Sequence, residues 1–468
     1  MSRLNIYLSD SLEGGFSPLY YKSQFDLWGM ACLYQGICMY DSELNLCNRL
    51  AEYVLQTEKY MEVKIRPLKW HDGNPITSHD FKFSFELFYS PERCGTIPQR
   101  IIQYIQGAKS FYKKQSLHIS GIEIVDDQIF RIFYEAPYIY AKSLLTLPIT
   151  PKHCYSQTET KMHQYIGCGS YILKSLEKNS AFFIRNKSFC LGTPRIEELL
   201  LLGGSSEEQQ IHLQAGDIDL TILDPADLTN LPLSVFQKYY VYSLPQPIAT
   251  VLKINPSSQL FCNLAARKMV SQKISRCLLI HQLFRGYADP LQQFYPPVVA
   301  QHLNCSLIYP DVSPTISDIK ILQIGVHKEN EEHKQVAAFL LQILSPYFQI
   351  SVCNYASRTE AYRSGADVYI ENMSHTLTPC SNMYLFNNYE NFSRAPEYAN
   401  LLNLSEKLFC PDYSEFIYEF ALECANTLPI IPLYSKHEIQ LVSKRVHNLR
   451  PDTRGAFWNI HELIIAEE

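Results

Sequence analysis

The sequence lacks several features that mark whole classes of protein. No apolar run reaches the roughly 20 residues that a transmembrane helix needs, and Met1 to Asn5 lead into a polar strand without the apolar centre of a signal peptide. No dense run of lysine and arginine occurs and the formal net charge is −6, so nothing predicts a nucleic-acid partner. We therefore expect a cytosolic protein, or an envelope protein whose targeting segment has been removed.

The 14 cysteines form no C-x-x-C pair and do not cluster with histidine at the spacing of a zinc site. Most are predicted to be buried small hydrophobes, and so many free thiols favour a reducing compartment. His71, His79, His375 and His437 are scattered and form no motif. The sequence therefore predicts neither a metal site nor a cofactor.

A glycine-flanked segment, residues 167–170, places Cys168 and Ser170 where a nucleophile can lie on a sharp turn. Its spacing differs from the G-x-S-x-G motif, and no general base is indicated nearby. A glycine-rich crossover loop is the favoured interpretation, so no catalytic residue is nominated and no enzymatic activity is predicted.

The composition is that of a large globular protein. The chain has 468 residues, of which 46% are hydrophobic and 19% charged, and this length exceeds what one hydrophobic core usually covers. Two or three structural lobes are expected. The 32 tyrosines and 24 phenylalanines supply broad faces for cores and for ligand clefts.

One local pattern dominates the chain, from Val63 to Pro91. A strand is followed by a turn at Asp72-Gly73, and Thr77 or Ser78 then caps a helix whose phenylalanines recur at helical spacing. The segment resembles the signature of the family 5 extracellular solute-binding proteins, the oligopeptide, dipeptide and nickel receptors of ABC importers. The matching residues are His71, Asp72, Gly73, Pro75, Thr77, Asp80, Phe83 and Ser84.

Further segments resemble the same family. Residues 121–134 read as a hairpin, and residues 195–223 read as a strand, a helix ended by Gly216, and a second strand. Downstream patterns predict one helix over residues 263–284 and an amphipathic helix over residues 332–348.

The resemblance implies an α/β fold of the bilobed periplasmic-binding-protein type (class II, Venus flytrap) with an additional inserted lobe. Residues 1–40, 165–245 and 446–468 are expected to form lobe I, residues 41–164 the inserted lobe II, and residues 246–445 lobe III. The implied function is a monomeric receptor that captures a peptide or similar small solute between lobes that close by a hinge. A membrane permease would be its partner, and its place would be the periplasm or, lipid-anchored, the cell envelope.

The chain departs from the peptide-binding pattern in its last third. Peptide-binding members carry a Trp and then an Asp that pairs with the α-amino group of the peptide; here Asp367 and Pro379 match, the Trp is absent, and His375 or Thr376 replaces the Asp. Either Glu371 supplies a carboxylate instead, or the ligand lacks a free amino terminus. The predicted ligand-binding residues are Tyr34, Gly36, Glu371, Asn372, Met373, Ser374, His375, Tyr434 and Lys436.

An alternative follows from a second resemblance. Residues 322–343 and 367–386 are similar to the cytosolic solute-binding domain of a sugar-phosphate stress transcription regulator, but no helix-turn-helix precedes them. The alternative function is therefore a cytosolic solute-sensing domain whose ligand is not a peptide with a free amino terminus.

Overall fold

The computed structural model describes residues 2–41, 45–90, 102, 104–135, 141–155, 165–228, 230–255, 257–302, 320–356, 360, 365–374, 398–407, 413–451 and 459–466. The chain divides into two compact units, unit 1 comprising Met1–Leu244 with Ile439–Glu468, and unit 2 comprising Pro245–Glu438. The boundaries of the three expected lobes stay a prediction.

The strands of unit 1 begin with the predicted first strand. They are β1 (Arg3–Leu8), β2 (Cys38–Tyr40), β3 (Leu46–Asn48), β4 (Ala51–Gln56), β5 (Tyr60–Ile65), β6 (Ile122–Ile124), β7 (Ile129–Phe133), β8 (Tyr171–Leu176), β9 (Ser180–Arg185), β10 (Glu198–Gly203), β11 (Leu220–Leu223) and β12 (Tyr239–Pro245). Its helices are α1 (Gln24–Leu33), α2 (Ser78–Tyr89), α3 (Ala108–Tyr112), α4 (Ser206–Ala215), α5 (Pro225–Leu228) and α6 (Leu233–Lys238).

The described strands of unit 2 include one that continues into unit 1. They are β13 (Ile248–Ile254), β14 (Ala288–Pro290), β15 (Lys320–His327), β16 (Phe348–Tyr355), β17 (Val368–Ser374) and β18 (Ile430–Ser443), which ends in unit 1. Its helices are α7 (Leu264–Lys273), α8 (Arg276–Phe284), α9 (Pro297–His302), α10 (Glu331–Leu344), α11 (Ala399–Lys407) and α12 (Tyr413–Thr427). The chain then returns to unit 1 with β19 (Val446–His447) and β20 (Ile464–Ile465).

Two sheets organise unit 1. In the first, β1 lies between β10 and β11 and runs parallel to both, and β9 and β8 extend the sheet beyond β10. The second is a four-stranded sheet in the order β4-β5-β7-β6. Helix α2 packs on this second sheet through Phe81, whose ring stacks on that of Phe130 with 4.0 Å between centroids.

The signature segment folds as its pattern predicts. Thr77 and Asp80 form a reciprocal capping box at the start of α2, which supplies partners for backbone donors that the first helical turn leaves unpaired. Gly73 has φ +91° in the preceding turn, a conformation that other residues rarely adopt. The predicted hairpin appears as β6 and β7, and the predicted strand-helix-strand unit as β10, α4 and β11, with Gly216 at φ +82° ending α4.

Unit 2 is built on a sheet in the order β16-β15-β17-β13-β18. Strands β15 and β17 run parallel, whereas β13 is antiparallel to both β17 and β18. Helix α10 covers one face of this sheet through Val336, Leu340 and Leu344, each fully buried.

Two predicted helices are wrong in extent. The helix expected over residues 263–284 is two helices, because Ile274 is extended and the buried Arg276 guanidinium donates to the carbonyl oxygens of Ser271 and Pro432. Helix α10 ends at Leu344 rather than at residue 348, since Pro346 follows its C-cap Ser345 and proline has no backbone N–H to continue the helical hydrogen bonds. Phe348 instead begins β16.

Candidate functional site

Three neighbouring strands of unit 2 place polar side chains in one row. Thr250 on β13 lies opposite Asn372 on β17 and opposite Tyr434 on β18. The Thr250 hydroxyl donates to Asn372 Oδ1 at 2.9 Å. Since cross-strand neighbours share one face of a sheet, these three side chains form a continuous polar strip.

The first turn of α10 adds Glu332 and His333 to this strip. Asn330 caps the helix by accepting from the His333 amide at 2.9 Å, which fixes the backbone from which both side chains project. The Tyr434 hydroxyl donates to Glu332 Oε1 at 2.8 Å, and Lys436 Nζ lies 2.8 Å from Glu332 Oε2. We call the resulting set the unit 2 polar cluster; its members are Thr250, Glu332, His333, Asn372, Tyr434 and Lys436.

Tyr434 is the buried centre of the cluster. Its side chain is fully buried, and its ring lies 4.6 Å from that of Phe284. Burial, and after it the charge of Glu332, holds the pKa of Tyr434 well above its usual value, so this hydroxyl stays protonated and can serve as a hydrogen-bond donor.

Lys436 forms the solvent-facing edge of the cluster. Its ammonium group lies over the Phe284 ring, 5.5 Å from the centroid, while its side chain remains 31% exposed. The Glu332–Lys436 ion pair therefore gives the cluster one partly exposed charge pair beside otherwise uncharged groups.

His333 is buried, with only 5% exposure. Its Nε2 lies 3.2 Å from Asn372 Oδ1, so Nε2 carries the proton and donates. Its Nδ1 has no hydrogen-bond partner among the described residues. Burial lowers the pKa of His333, which keeps the ring neutral and leaves Nδ1 as an acceptor.

Glu371 and Met373 point to the other face of β17, because successive residues of a strand alternate. Both are buried, and Glu371 Oε2 lies 3.0 Å from Lys253 Nζ on β13. The carboxylate that the sequence offers as a substitute anion for an α-amino group is thus already paired with a lysine.

The remaining predicted ligand residues are distributed differently. Tyr34 and Gly36 lie in unit 1, where Tyr34 is buried at the C-cap of α1. Gly36 forms an isolated β-bridge with Pro148. A Cβ atom at position 36 would lie 2.7 Å from the Thr146 carbonyl oxygen. Ser374 is exposed at the end of β17, and His375 lies outside the described residues.

Sequence reasoning missed Thr250, Glu332 and His333. Glu332 and His333 were expected only as the first residues of an amphipathic helix. The contact between Glu332 and Tyr434 joins residues 102 positions apart. A capping asparagine followed by two acidic residues and a histidine marks a helix start, but no local signal shows which strands that start will meet.

The described cysteines bear on the prediction about thiols. Ten of them carry a thiol rather than a disulfide: Cys32, Cys38, Cys47, Cys154, Cys168, Cys190, Cys262, Cys277, Cys353 and Cys424. Burial raises the pKa of Cys32, Cys168 and Cys424 well above the usual value, so these three are protonated, packed side chains. Within the described residues, no helix is both long and apolar enough to cross a lipid bilayer.

Known proteins resemble the chain in sequence and in fold. The oligopeptide-binding protein OppA of Haemophilus influenzae, a periplasmic protein, is 24% identical over 340 residues, which cover 65% of this chain and 62% of that protein. The curated relatives are matched over only 44% to 62% of their own length.

Solved structures match the whole chain. The oligopeptide-binding protein AppA of Bacillus subtilis, in complex with a nonapeptide, covers 100% of both chains with a TM-score of 0.75 and 14% identity. NikZ of Campylobacter jejuni, in complex with Ni(L-His), covers 98% of this chain and 99% of that one with a TM-score of 0.74 and 15% identity. These matches confirm the predicted α/β fold of periplasmic binding proteins.

A sequence model of one family matches more than half of the chain. It is described as bacterial extracellular solute-binding proteins, family 5 Middle, and it matches residues 48–306. That region contains the signature segment, the hairpin and the strand-helix-strand unit on which the predicted resemblance rests. The similarity of the last third to a transcription regulator stays a prediction. The chain belongs to the family 5 bacterial extracellular solute-binding proteins.

Proposed function

We propose that the chain is the substrate-binding receptor of an ABC importer and captures a peptide or peptide-like small solute by hinge closure. The observation that carries the proposal is the unit 2 polar cluster, in which three strands and a helix start present hydrogen-bonding groups in one place. Membership of family 5 supports the receptor role, and the similarity to OppA and AppA, which are oligopeptide-binding proteins, supports the ligand class. No bond of the ligand is broken in this function.

The ligand is proposed to lack a free α-amino group. The carboxylate of Glu332 contacts Lys436 and the Tyr434 hydroxyl, and that of Glu371 contacts Lys253. An ammonium group of a ligand would have to displace one of these lysines, at the cost of leaving a charge unpaired. Main-chain amides or blocked termini need only hydrogen bonds, which the exposed side-chain amide of Asn372 can make.

The predicted contact residues have different roles in this proposal. Asn372, Tyr434 and Lys436 belong to the cluster, Ser374 ends β17, and His375 is the next residue in the sequence. Glu371 and Met373 are proposed to support the strand from its other face, while Tyr34 and Gly36 are proposed as contacts from unit 1. A monomeric protein in the periplasm or anchored to the envelope, with a membrane permease as partner, completes the proposal.

The test is native mass spectrometry of the purified protein, followed by calorimetric titration with peptides in matched pairs. Each pair has one sequence, once with a free and once with an acetylated amino terminus. We expect a co-purified solute, and at least tenfold tighter binding of the acetylated member. Equal or tighter binding of the free peptides would refute the blocked-terminus assignment, and failure of every solute to bind would refute the receptor function.

Cell fractionation tests the location. The ten thiols of the described residues, none of them in a disulfide, are the observation that favours the alternative, a cytosolic solute sensor. We expect the native protein in the periplasmic or envelope fraction; recovery in the cytosol would favour the sensor instead.

A further inference from the structure

Four side chains from two distant segments of unit 1 converge beside the signature turn. Asp72 and Asn74 come from the turn after β5, and His153 and Cys154 come from the short 3-10 helix Lys152–Cys154. Asp72, His153 and Cys154 each bring one oxygen, nitrogen or sulfur atom within 4.8 Å of the others. We call this group the Asp72 site; it shares no residue with the unit 2 polar cluster.

The hydrogen bonds within the Asp72 site conflict with one another. His153 Nε2 lies 2.6 Å from Asp72 Oδ2, so it must donate a proton to that carboxylate. The same Nε2 lies 3.2 Å from Asn74 Nδ2, which is itself a donor and lies 2.9 Å from Asp72 Oδ2. One nitrogen cannot both donate to Asp72 and accept from Asn74.

A bound cation removes this conflict. His153 Nε2 would then be a neutral ligand, Asp72 Oδ2 an anionic one, and rotation of the Asn74 amide would turn its oxygen toward the ion. Cys154 would add a thiolate by releasing its proton on binding. Carboxylate, imidazole and thiolate together are the donor set of Zn²⁺, whereas Mg²⁺ and Ca²⁺ take oxygen ligands.

The framework around the site is fixed by Asp80. Its Oδ1 accepts from the Lys152 amide at 2.9 Å, and its Oδ2 accepts from the Thr77 amide at 2.9 Å. One buried carboxylate thus holds both the 3-10 helix and the start of α2, so the ligand-bearing segments meet without an ion to gather them. The side chains of His153 and Asp72 are 38% and 24% exposed, so an ion can reach them from solvent.

We propose that Asp72, His153 and Cys154 form a binding site for one divalent cation of the zinc class, with Asn74 or a water completing a four-coordinate shell. No local sequence pattern predicts this site, because Asp72 and His153 lie 81 positions apart in the chain. The site is separate from solute capture, so it can exist whether or not the proposed transport function holds.

The experiment uses the full chain, freed of metal by dialysis against a chelator and then titrated with Zn²⁺ against a chromophoric competitor. We expect one tightly bound Zn²⁺ per chain, and at least tenfold weaker binding in His153→Gln and in Cys154→Ser. Co²⁺ in place of Zn²⁺ is expected to give a thiolate charge-transfer absorption that Cys154→Ser abolishes. Mg²⁺ at the same concentration is expected not to compete.

Two matched variants control for scattered thiols and imidazoles. His118→Gln removes an exposed histidine whose Nδ1 lies 3.2 Å from Glu86, and Cys47→Ser removes an exposed cysteine; both are expected to bind as the unaltered protein does. Absence of stoichiometric Zn²⁺, or equal binding in His153→Gln and the unaltered protein, would refute the site. His153 is 38% exposed, so this variant is informative even where Cys154→Ser fails to fold. Solute titrations of the metal-free protein test the receptor proposal independently of the result with Zn²⁺.

Discussion

Tyr434 shows how much of the candidate site depends on a single hydroxyl. Replacement by Phe removes the donor to Glu332 Oε1 at 2.8 Å while keeping the buried ring. We expect a loss of about 1 to 3 kcal/mol in the free energy of unfolding, because a hydrogen bond from a buried donor to a charged carboxylate is lost. We also expect at least tenfold weaker binding of the co-purified solute, and urea denaturation and calorimetry measure the two effects.

Tyr53 provides the matched control for this substitution. Its hydroxyl donates to Glu62 Oε1 at 2.9 Å, but its side chain is exposed. Tyr53→Phe is expected to change neither quantity by more than about 0.5 kcal/mol. Equal effects of the two substitutions would show that the burial of Tyr434 is irrelevant.

His333 is expected to make stability depend on pH. Burial lowers its pKa in the folded state, partly offset by the Asn372 hydrogen bond and by the charges of Glu332 and Glu371, while His327 adds to the lowering. The unfolded chain, in which this histidine has an ordinary pKa of about 6.5, therefore binds more protons than the folded chain as the pH falls. The contribution of neutral His333 to the free energy of unfolding is therefore complete above the pKa of the unfolded state and is lost as the pH falls below it.

The variant His333→Gln keeps a donor for Asn372 but cannot titrate. Its free energy of unfolding is expected to fall less than that of the unaltered protein between about pH 7 and pH 5, as urea denaturation at each pH measures. Parallel curves for the two proteins would contradict the assignment of this dependence to His333.

The Lys253–Glu371 pair is a deeply buried ion pair of unit 2, with side chains 6% and 8% exposed. Lys253→Met leaves the Glu371 charge uncompensated, so we expect a loss of about 3 to 5 kcal/mol in unfolding free energy. The double variant Lys253→Met, Glu371→Leu is expected to recover most of that loss. Urea denaturation measures both.

Lys64→Met is the matched surface control. Lys64 pairs with Glu52 at 3.0 Å, and the two side chains are 32% and 51% exposed. Its expected cost is below about 1 kcal/mol. A cost for Lys253→Met in that same range would mean that water reaches the Glu371 carboxylate.

At the scale of elements, the loop before α1 depends on one buried carboxylate. Asp26 is fully buried and accepts from the amides of Glu13, Gly14, Lys22 and Ser23 at 2.7 to 3.3 Å. In Asp26→Asn the side-chain NH2 group replaces one carboxylate oxygen and faces backbone amides that are themselves donors. We therefore expect a loss of about 2 to 4 kcal/mol in the free energy of unfolding, measured by urea denaturation.

Asp126→Asn serves as its control, because Asp126 accepts two amides of a hairpin turn while remaining exposed. Asparagine is a common turn residue, so a change below about 0.5 kcal/mol is expected. A comparable loss in both variants would show that the effect does not come from the buried amides around Asp26.

The elements that sequence reasoning located carry their own local signals. Helix α2 has a capping box, α4 has a terminal glycine, and β6 and β7 flank a turn rich in aspartate. The break between α7 and α8 has no such signal, since it depends on Arg276 reaching the Pro432 carbonyl 156 positions away. Local chemistry thus predicts where elements begin, and contacts between distant segments decide where some of them end.

The same limit applies to the candidate site. The family resemblance predicted Asn372, Tyr434 and Lys436 as ligand-binding residues, and the structure brings them into one cluster. Their partners Thr250 and Glu332 were not named, because each joins the cluster through strand register or helix placement. The amino acids of a site can be read from a family pattern, but the network that orients them requires the fold.

At the scale of the whole molecule, the two compact units have separate cores. One core includes Leu4 of β1 and Leu201 of β10, and the other includes Leu252 of β13 and Leu340 of α10. We expect heat unfolding to depart from a two-state transition, with a calorimetric enthalpy larger than the van't Hoff enthalpy. Bound solute is expected to raise the transition temperature of unit 2 more than that of unit 1. A single transition with equal enthalpies would contradict this.

Strand β1 pairs with β10 and β11, whose residues lie about 200 positions further along the chain. At a synthesis rate of about 5 to 20 residues per second, its partners follow roughly 10 to 40 s later. For that interval the apolar side chains of Leu4, Ile6 and Leu8, which are buried in the finished sheet, have no strand to cover them. The order of synthesis thus leaves β1 unpaired until both of its partner strands have been made.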